Sequence, residues 1–307
     1  MPSEPALPAA DVWSHWLLHR RHAGDPQYER AVRAAVDRYI ERVLDGARLA
    51  AGQILVDVGT GEGLVALRAI ERIGPTLRVW LTDVSEPMLQ HAEATARERG
   101  VHGQCSFLHC PADRLTDIRS ASVDVVTTRS ALAYVADKPA ALREFHRVLK
   151  PGGRISLAEP VFQDDALAAR AMKAVVDSKP AEGVSPIMVL LHRWQAAQFP
   201  DTEEKLRASA LANYSERDLI RFAQSVGFAD LHLELHIDIG PSIMRSWEVF
   251  LSSSPHPLAP PLSLIMAEQF TAAERTLFEG TMRPVIEDPK AVNTERMVYL
   301  MARKPAA

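Results

Sequence analysis

The feature that most constrains the fold of this 307-residue chain is an alternation of short apolar segments with helical patterns. Five apolar segments predict strands, at 54–58, 78–82, 104–108, 123–127 and 154–159. Helical patterns separate most of them, and strands that alternate with helices form a parallel sheet with helices on both faces. We therefore expect a doubly wound α/β fold, whose ligands bind beyond the carboxyl ends of the strands.

The regions on either side of this core have different patterns. Residues 1–10 predict a disordered tail, and the segment that follows shows apolar residues at three- and four-residue spacing, as in amphipathic helices. Two late alternating segments, 231–239 and 296–303, predict an antiparallel pair that raises the sheet to seven strands. We predict a helical cap at 1–50 and a core at 51–160. A helical insertion at 161–213 follows, and the core sheet ends at 214–307, with a second insertion at 240–294. Insertions at this edge of a sheet usually form a substrate lid.

The composition is that of a globular protein, with 47% hydrophobic and 24% charged residues. A net charge of -4 gives no general attraction to nucleic acid or anionic membranes. The start MPSEPALPAADVW has no basic segment followed by an apolar run, and no apolar stretch reaches membrane-spanning length. With only Cys105 and Cys110, a reduced, cytoplasmic setting is the simpler interpretation, and the oligomeric state is left open.

The run VDVGTGEG at 56–63 predicts a glycine turn between the first strand and a helix. A dinucleotide fingerprint would need glycine where Leu64 stands, and the lysine of a phosphate-binding P-loop is missing. The turn alone therefore leaves the ligand undecided. Asp83, at the end of the second strand, has the spacing of an acid that binds ribose hydroxyls, while Ser85 already serves as the cap of the next helix. Asp57, inside an apolar strand, suggests a water- or backbone-mediated contact with a cationic amino-acid group, so the pair suits a ligand with ribose and ammonium but no phosphate.

Five segments in order then carry a family resemblance: VDVGTGEG, LTDVSEPML (81–89), PADRL (111–115), SVDVVTTRSALAYV (122–135) and REFHRVLKPGGRISLAEP (143–160). With them the chain resembles the class I S-adenosylmethionine-dependent methyltransferases of small-molecule type, among them bacterial quinone and natural-product methyltransferases. The resemblance covers about Gln53 to Pro160. It implies a Rossmann-like methyltransferase fold with N-terminal helices and helical lid insertions, and S-adenosylmethionine as cofactor.

The resemblance also implies roles for particular residues. The glycine loop would hold the methionine part of the cofactor, Asp83 its ribose, and Val84 and Met88 its adenine, with Arg129 at the methionine end. Family members often have an acid where Pro111 stands here, and Asp113 is the substitute. The expected cofactor-binding residues are Asp57, Gly59, Thr60, Gly61, Asp83, Val84, Met88, Ala112, Asp113 and Arg129.

Candidate substrate and catalytic residues lie outside the cofactor motifs. Glu159 ends the fifth strand and faces either the cleft or solvent, and Tyr134 lines the cleft or packs in a helix. Trp16 and His19, on the N-terminal helical pattern, are candidates for a lid over the substrate. We expect no metal site, because His15, His19 and His22 have no adjacent acid.

The predicted function is methyl transfer from S-adenosylmethionine (EC 2.1.1) to an oxygen, carbon or nitrogen of a small organic molecule, in the biosynthesis of a specialised metabolite or quinone. The segment TTRSALAY lacks the Asn/Asp-Pro-Pro-aromatic motif that holds a flipped base, so nucleic acid is not the expected substrate. The alternatives are a non-catalytic S-adenosylmethionine-binding module, or a fold relative with other chemistry, and an NAD-dependent dehydrogenase, against which Leu64 counts.

Overall fold

A seven-stranded sheet forms the centre of the computed structural model, which describes residues 11–178, 180 and 183–306. The strands are β1 Ile54–Val58, β2 Arg78–Asp83, β3 Cys105–His109, β4 Val123–Arg129, β5 Leu149–Pro160, β6 Ala229–Pro241 and β7 Val292–Arg303. Their order is β3-β2-β1-β4-β5-β7-β6, with β1 to β5 parallel and β7 antiparallel to both of its neighbours. This arrangement confirms the predicted fold class. The predicted tail at 1–10 lies outside the described residues.

Helices cover both faces of the sheet. Those of the described residues are α1 Val12–His15, α2 Pro26–Ala47, α3 Leu64–Ile73, α4 Glu86–Glu98, α5 Lys138–Val148, α6 Gln163–Asp177, α7 Pro186–Gln198, α8 Glu203–Ala208, α9 Glu216–Ser225, α10 Trp247–Ser252, α11 Leu262–Gln269 and α12 Ala272–Ile286. A π-helical turn, Trp16–Arg20, follows α1, and a 3-10 turn, Leu132–Tyr134, follows β4. In the described part of the chain no helix is both long enough and apolar enough to cross a membrane.

The period-two alternation of the strands divides the core between the two faces. Leu55 packs into a cluster with Ile40 and Leu44 of α2, whereas the next residue, Val56, packs on the other side with Phe145 of α5. Successive side chains of a strand point to opposite faces, so a strand buried on both faces reads as a continuous apolar run. This is why ILVDV shows no polar alternation apart from Asp57.

Three strands are longer than the sequence predicted. β6 and β7 each extend into the segment predicted as an insertion at 240–294, since Gly240 pairs with Asn293 and Pro241 with Val292. β5 begins at Leu149, directly after α5, and the pairing with β4 skips register between Val123 and Val125. The glycines at 152–153, predicted as a turn, lie in this irregular stretch, and Gly152 has a left-handed φ of 78°.

The two insertions form one helical unit with its own core. Leu190 of α7 comes from the first insertion, and Trp247, Ile265 and Phe278 come from the second. All four side chains are fully buried against one another. The sequence predicted two separate helical segments, and the structure joins them into a single layer at the carboxyl edge of the sheet.

Candidate active site

The glycine turn follows β1 at the carboxyl edge of the sheet. Gly59 and Gly61 have left-handed φ values of 64° and 53°, which side chains other than glycine rarely adopt. A Cβ atom on Gly59 would lie 2.3 Å from the Cβ of Ala131, so this position also has no space for a side chain. At these two positions the loop therefore exposes only backbone atoms. Helix α3 starts directly after the loop, at Leu64.

Asp83 connects the glycine loop to the start of α4. Its carboxylate accepts hydrogen bonds from the backbone N–H of Gly61 at 2.8 Å and of Ser85 at 2.9 Å. Burial raises the pKa of this carboxyl group, and the two backbone donors act in the opposite direction. A carboxylate offers about four acceptor positions, so Asp83 keeps acceptor capacity toward a ligand.

Asp57 lies below the loop, where its side chain is 2% exposed. It accepts hydrogen bonds from the hydroxyls of Thr60 at 2.7 Å and Thr127 at 2.8 Å. Neither Asp57 nor Thr60 lines the cavity described next. Their hydrogen bonds support the shape of the loop, and cofactor contact at Asp57 and Thr60 stays a prediction.

A cavity of about 500 Å³ opens above the carboxyl ends of β1, β2 and β4. It brings together most of the predicted cofactor residues, since Asp83, Val84 and Met88 line it next to the glycine loop, with Ala112 and Asp113 beyond them. The predicted residues that line it are Trp16, Gly59, Gly61, Asp83, Val84, Met88, Ala112, Asp113, Arg129 and Tyr134.

Arg129, at the end of β4, is the notable cation of this cavity. Its buried Nε atom has no hydrogen-bond partner among the described residues. Burial lowers the pKa of its guanidinium, while the nearby carboxylates of Glu62 and Asp57 raise it. Buried polar atoms are nearly always paired, so an unpaired guanidinium nitrogen beside a cavity indicates a site for an anionic group.

Tyr134, the second candidate catalytic residue, and Trp16, a candidate substrate residue, also line the cavity. The ring of Tyr134 packs edge-to-face on Trp13, with centroids 5.0 Å apart and planes at 74°. Burial raises the pKa of the Tyr134 phenol well above its ordinary value, so the group stays protonated. The indole nitrogen of Trp16 donates to the hydroxyl of Ser254 at 3.1 Å, which joins the N-terminal segment to the second insertion.

Glu159 does not line the cavity, in contrast to the catalytic role predicted for it. It is fully buried and accepts hydrogen bonds from the Thr128 hydroxyl at 3.1 Å and from the N–H groups of Ala131 at 3.3 Å and Ala133 at 3.0 Å. The next residue, Pro160, does line the cavity. Strand alternation therefore turns the Glu159 side chain away from the cleft and toward the loop after β4.

His19 is also displaced from its predicted role. Its side chain is exposed, and its ring lies 6.0 Å from that of His15 on the outer side of the N-terminal segment. Within the described ranges, no group of three or more histidine, cysteine, aspartate or glutamate side chains is placed to hold a metal ion.

Several residues of the cavity were missed by the sequence analysis. Arg21, Phe162, Pro255 and Pro257 line it, as does Glu62 of the glycine turn. The carboxylate of Glu62 lies 3.0 Å from Arg33 and 3.8 Å from Arg21. Phe162 could have been predicted from the sequence, because it follows the carboxyl end of the fifth strand, where ligands bind in such folds. The prolines belong to a segment that the sequence marked only as an insertion.

Comparisons with known proteins agree with this geometry. The profile of a family described as "Methyltransferase domain" matches residues 49–208. Nocamycin O-methyltransferase of Saccharothrix syringae is 34% identical over 201 residues, which are 64% of this chain and 67% of that protein. The ubiquinone/menaquinone biosynthesis C-methyltransferase UbiE of Pseudomonas putida is 36% identical over 116 residues, 38% of this chain. The match to UbiE spans 44% of its length.

The fold is also found among solved structures. The YcgJ protein of Bacillus subtilis superimposes with a TM-score of 0.54 over 88% of this chain and 100% of its own. The two sequences are 15% identical, so the likeness concerns the fold alone.

Proposed function

This chain belongs to the methyltransferase family, and from that premise we propose that it transfers a methyl group from S-adenosylmethionine to a small organic molecule. The observation that carries the proposal is the pair Asp83 and Arg129, which line one cavity from the two strands that flank β1. An acid with spare acceptor capacity suits ribose hydroxyls, and an unpaired guanidinium suits a carboxylate. S-adenosylmethionine carries both groups, separated by its sulfonium centre.

The remaining cofactor residues fit the same ligand. Gly59 and Gly61 line the cavity with backbone atoms, which allows close approach of the methionine part, and the apolar Val84 and Met88 suit the adenine ring. Asp113 and the backbone at Ala112 suit the polar edge of adenine. The cavity volume of about 500 Å³ lies within the range of about 300–1,000 Å³ that is usual for small-molecule sites.

We assign Asp57 and Thr60 an indirect part in cofactor binding. Thr60 donates its hydroxyl to Asp57 and its backbone N–H to Thr82 at 3.0 Å, which fixes the loop between β1 and β2. The ammonium group of the cofactor would then meet the backbone of the loop and not the Asp57 carboxylate.

When bound, the cofactor supplies an electrophilic methyl group on a sulfonium. The residues of this chain then have to orient the acceptor and exclude water. Holding two reactants in line at about 3 Å supplies on the order of 7–11 kcal/mol of the barrier reduction, so positioning alone accounts for much of the rate. The helical unit of the insertions and the N-terminal segment meet at Trp16 and Ser254, and both line the cavity, so they would shield a bound acceptor from water.

The cavity offers little for proton removal. Among the described residues that line it there is no histidine or lysine, and the Tyr134 phenol stays protonated. We therefore infer that the acceptor enters uncharged, with a nucleophile that gives up its proton to solvent as the methyl group is transferred, such as a neutral phenol or an activated carbon.

The named activities of the relatives guide the choice of acceptor atom. Nocamycin O-methyltransferase and UbiE are an O- and a C-methyltransferase by name. We propose an oxygen or carbon acceptor and a place in the biosynthesis of a specialised metabolite or quinone, with the cytoplasm as the predicted location.

Cofactor binding is the first experiment. Isothermal titration calorimetry should give binding of S-adenosylhomocysteine and none of NAD. Asp83→Ala should lower the affinity at least about tenfold, because it removes a buried acceptor for hydroxyl groups. Binding of NAD without S-adenosylhomocysteine would instead favour a dehydrogenase.

Methyl transfer is the second experiment, and it separates an enzyme from a binding module. Incubation with tritiated S-adenosylmethionine and a metabolite extract should label a small molecule with wild-type protein and not with Asp83→Ala. Tight cofactor binding with no labelled product in any extract would favour a non-catalytic module.

A further inference from the structure

The cavity has two halves of different chemistry. Its charged side chains, those of Arg21, Glu62, Asp83, Asp113 and Arg129, belong to the proposed cofactor half and its border. The other half is aromatic and apolar, and it is contributed by the N-terminal segment, the loop after β4, the end of β5 and the second insertion. Its main residues are Trp13, Trp16, Tyr134, Phe162, Pro255 and Pro257.

We infer that the methyl acceptor is an uncharged, flat, mainly apolar molecule, held by these aromatic side chains and by a hydrogen bond to the Tyr134 hydroxyl. The inference rests on the proposed function, because it assigns the acceptor to the half of the cavity that the cofactor leaves free.

The aromatic walls are held in fixed positions. Tyr134 packs on Trp13, and Phe162 packs on Phe199 at 6.0 Å and on His256 at 5.6 Å between ring centroids. The hydrogen bond to Ser254 fixes the Trp16 indole. Rigid aromatic walls favour ligands with flat rings, which gain from offset or edge-to-face contact.

Few polar groups of this half are free. The Trp16 nitrogen already donates to Ser254, whereas Tyr134 lines the cavity and no side-chain hydrogen bond within the described residues uses its hydroxyl. Tyr134 also remains a donor at neutral pH, so it suits a hydroxyl or carbonyl oxygen of the acceptor. One such contact orients a ligand but does not neutralise a charge.

The charged groups near this half have other partners. Arg21 lies over the Trp16 ring at 5.5 Å and next to Glu62 at 3.8 Å, and the proposed function assigns Arg129 to the cofactor carboxylate. Among the described residues, an anionic acceptor would therefore compete with Glu62 for Arg21 and with the cofactor carboxylate for Arg129, whereas an uncharged acceptor leaves both pairs intact.

Three probes with the same ring system test the charge preference. Protein saturated with S-adenosylhomocysteine is titrated at pH 7 with 2-naphthol, 2-naphthoate and 2-naphthyl phosphate. We expect 2-naphthol to bind at least about tenfold more tightly than either anion, because only it avoids burial of a charge. Equal or tighter binding of an anion, or no binding of 2-naphthol, would overturn the inference.

Variants then test the location. Phe162→Ala should weaken 2-naphthol binding about tenfold and leave the affinity for S-adenosylhomocysteine within about twofold, since it removes one aromatic wall. Leu167→Ala is the matched control, because Leu167 is exposed on α6, which begins directly after Phe162, and does not line the cavity. Unchanged 2-naphthol affinity in Phe162→Ala would contradict the assignment. If S-adenosylhomocysteine itself did not bind, the proposed function would fail, and calorimetry without any probe shows this separately.

Discussion

Burial determines the pKa of the Asp57 carboxyl group. It lies in the middle of the sheet, and burial raises its pKa to about 6, against the effect of the two threonine hydroxyls that hydrogen-bond to it. A carboxylate in this position keeps the glycine loop in shape at a cost in stability. The sequence indicated that Asp57 was unusual, because a lone acid in an apolar strand is costly. It could not show that two threonines, three and 70 residues away, are its partners.

Asp57 should make stability fall as the pH rises. Its pKa is about 3.8 in the unfolded chain and about 6 in the folded one, so the folded state binds more protons between these values. The free energy of unfolding then decreases from about pH 4 to pH 6 and stays level above this range. We expect the free energy of unfolding of the wild type to fall between pH 4 and pH 7 by about 2 kcal/mol more than that of Asp57→Asn. Urea unfolding of both proteins at the two pH values measures this difference. An equal pH dependence of the two proteins would contradict the raised pKa.

At the scale of a structural element, the loop after β4, Ala131–Ala136, is held by two buried charges. Glu159 accepts from its N–H groups, and the Lys138 ammonium donates to the carbonyls of Ala133 and Val135 at 3.1 Å each. Lys138 also donates to the carbonyl of Ala210 at 2.6 Å, beyond α8 of the first insertion. Since this loop carries Tyr134 into the cavity, the two charges fix one wall of the acceptor half.

Glu159→Gln should therefore act on acceptor binding. The amide presents one N–H₂ group to loop donors that need an acceptor, so at least one hydrogen bond is lost. With the acceptor found in the extract assay, we expect KM to rise about tenfold, while kcat and S-adenosylhomocysteine affinity change less than about threefold. A large loss of kcat with unchanged KM would instead restore the catalytic role that the sequence suggested.

Lys138 should give this wall a dependence on pH. Burial lowers its pKa to about 8, and the neutral amine has two N–H donors for three carbonyls. The affinity for 2-methoxynaphthalene, which does not titrate, should fall severalfold as the pH rises from 7 to 9. In Lys138→Met the affinity should be low at both values. An identical pH profile in the variant would assign the effect to another group.

At the scale of the whole molecule, the two halves of the cavity differ in how they are encoded. The cofactor residues lie at the ends of neighbouring parallel strands, within the continuous stretch Gln53–Pro160. Sheet order alone brings such residues together, and for this reason they could be predicted from sequence. The aromatic half is lined from three distant segments, by Trp13, Phe162 and Pro255. Only the packing of the insertions on the sheet joins them, and no local pattern in the sequence records that packing.

We expect that destabilising the core of the insertions weakens acceptor binding without weakening cofactor binding. Phe278 is fully buried in that core, so Phe278→Ala should cost about 3–5 kcal/mol of local stability. We expect the variant to lose 2-naphthol binding and to keep S-adenosylhomocysteine binding within about threefold. Leu277→Ala is the control, because its side chain is 41% exposed. If Phe278→Ala lost cofactor binding and Leu277→Ala kept it, the two halves of the cavity would depend on one folding unit.

The position of β7 in the sheet has a consequence for protein synthesis. β7 is the last strand of the chain, yet it lies between β5 and β6. While the chain leaves the ribosome, β1 to β5 can pair with one another before β7 is available. β6 has no strand to pair with until residues 292–303 emerge. Val298 and Tyr299 of β7 belong to the two core clusters on opposite faces of the sheet, so both faces are completed by the strand that is made after all the others described.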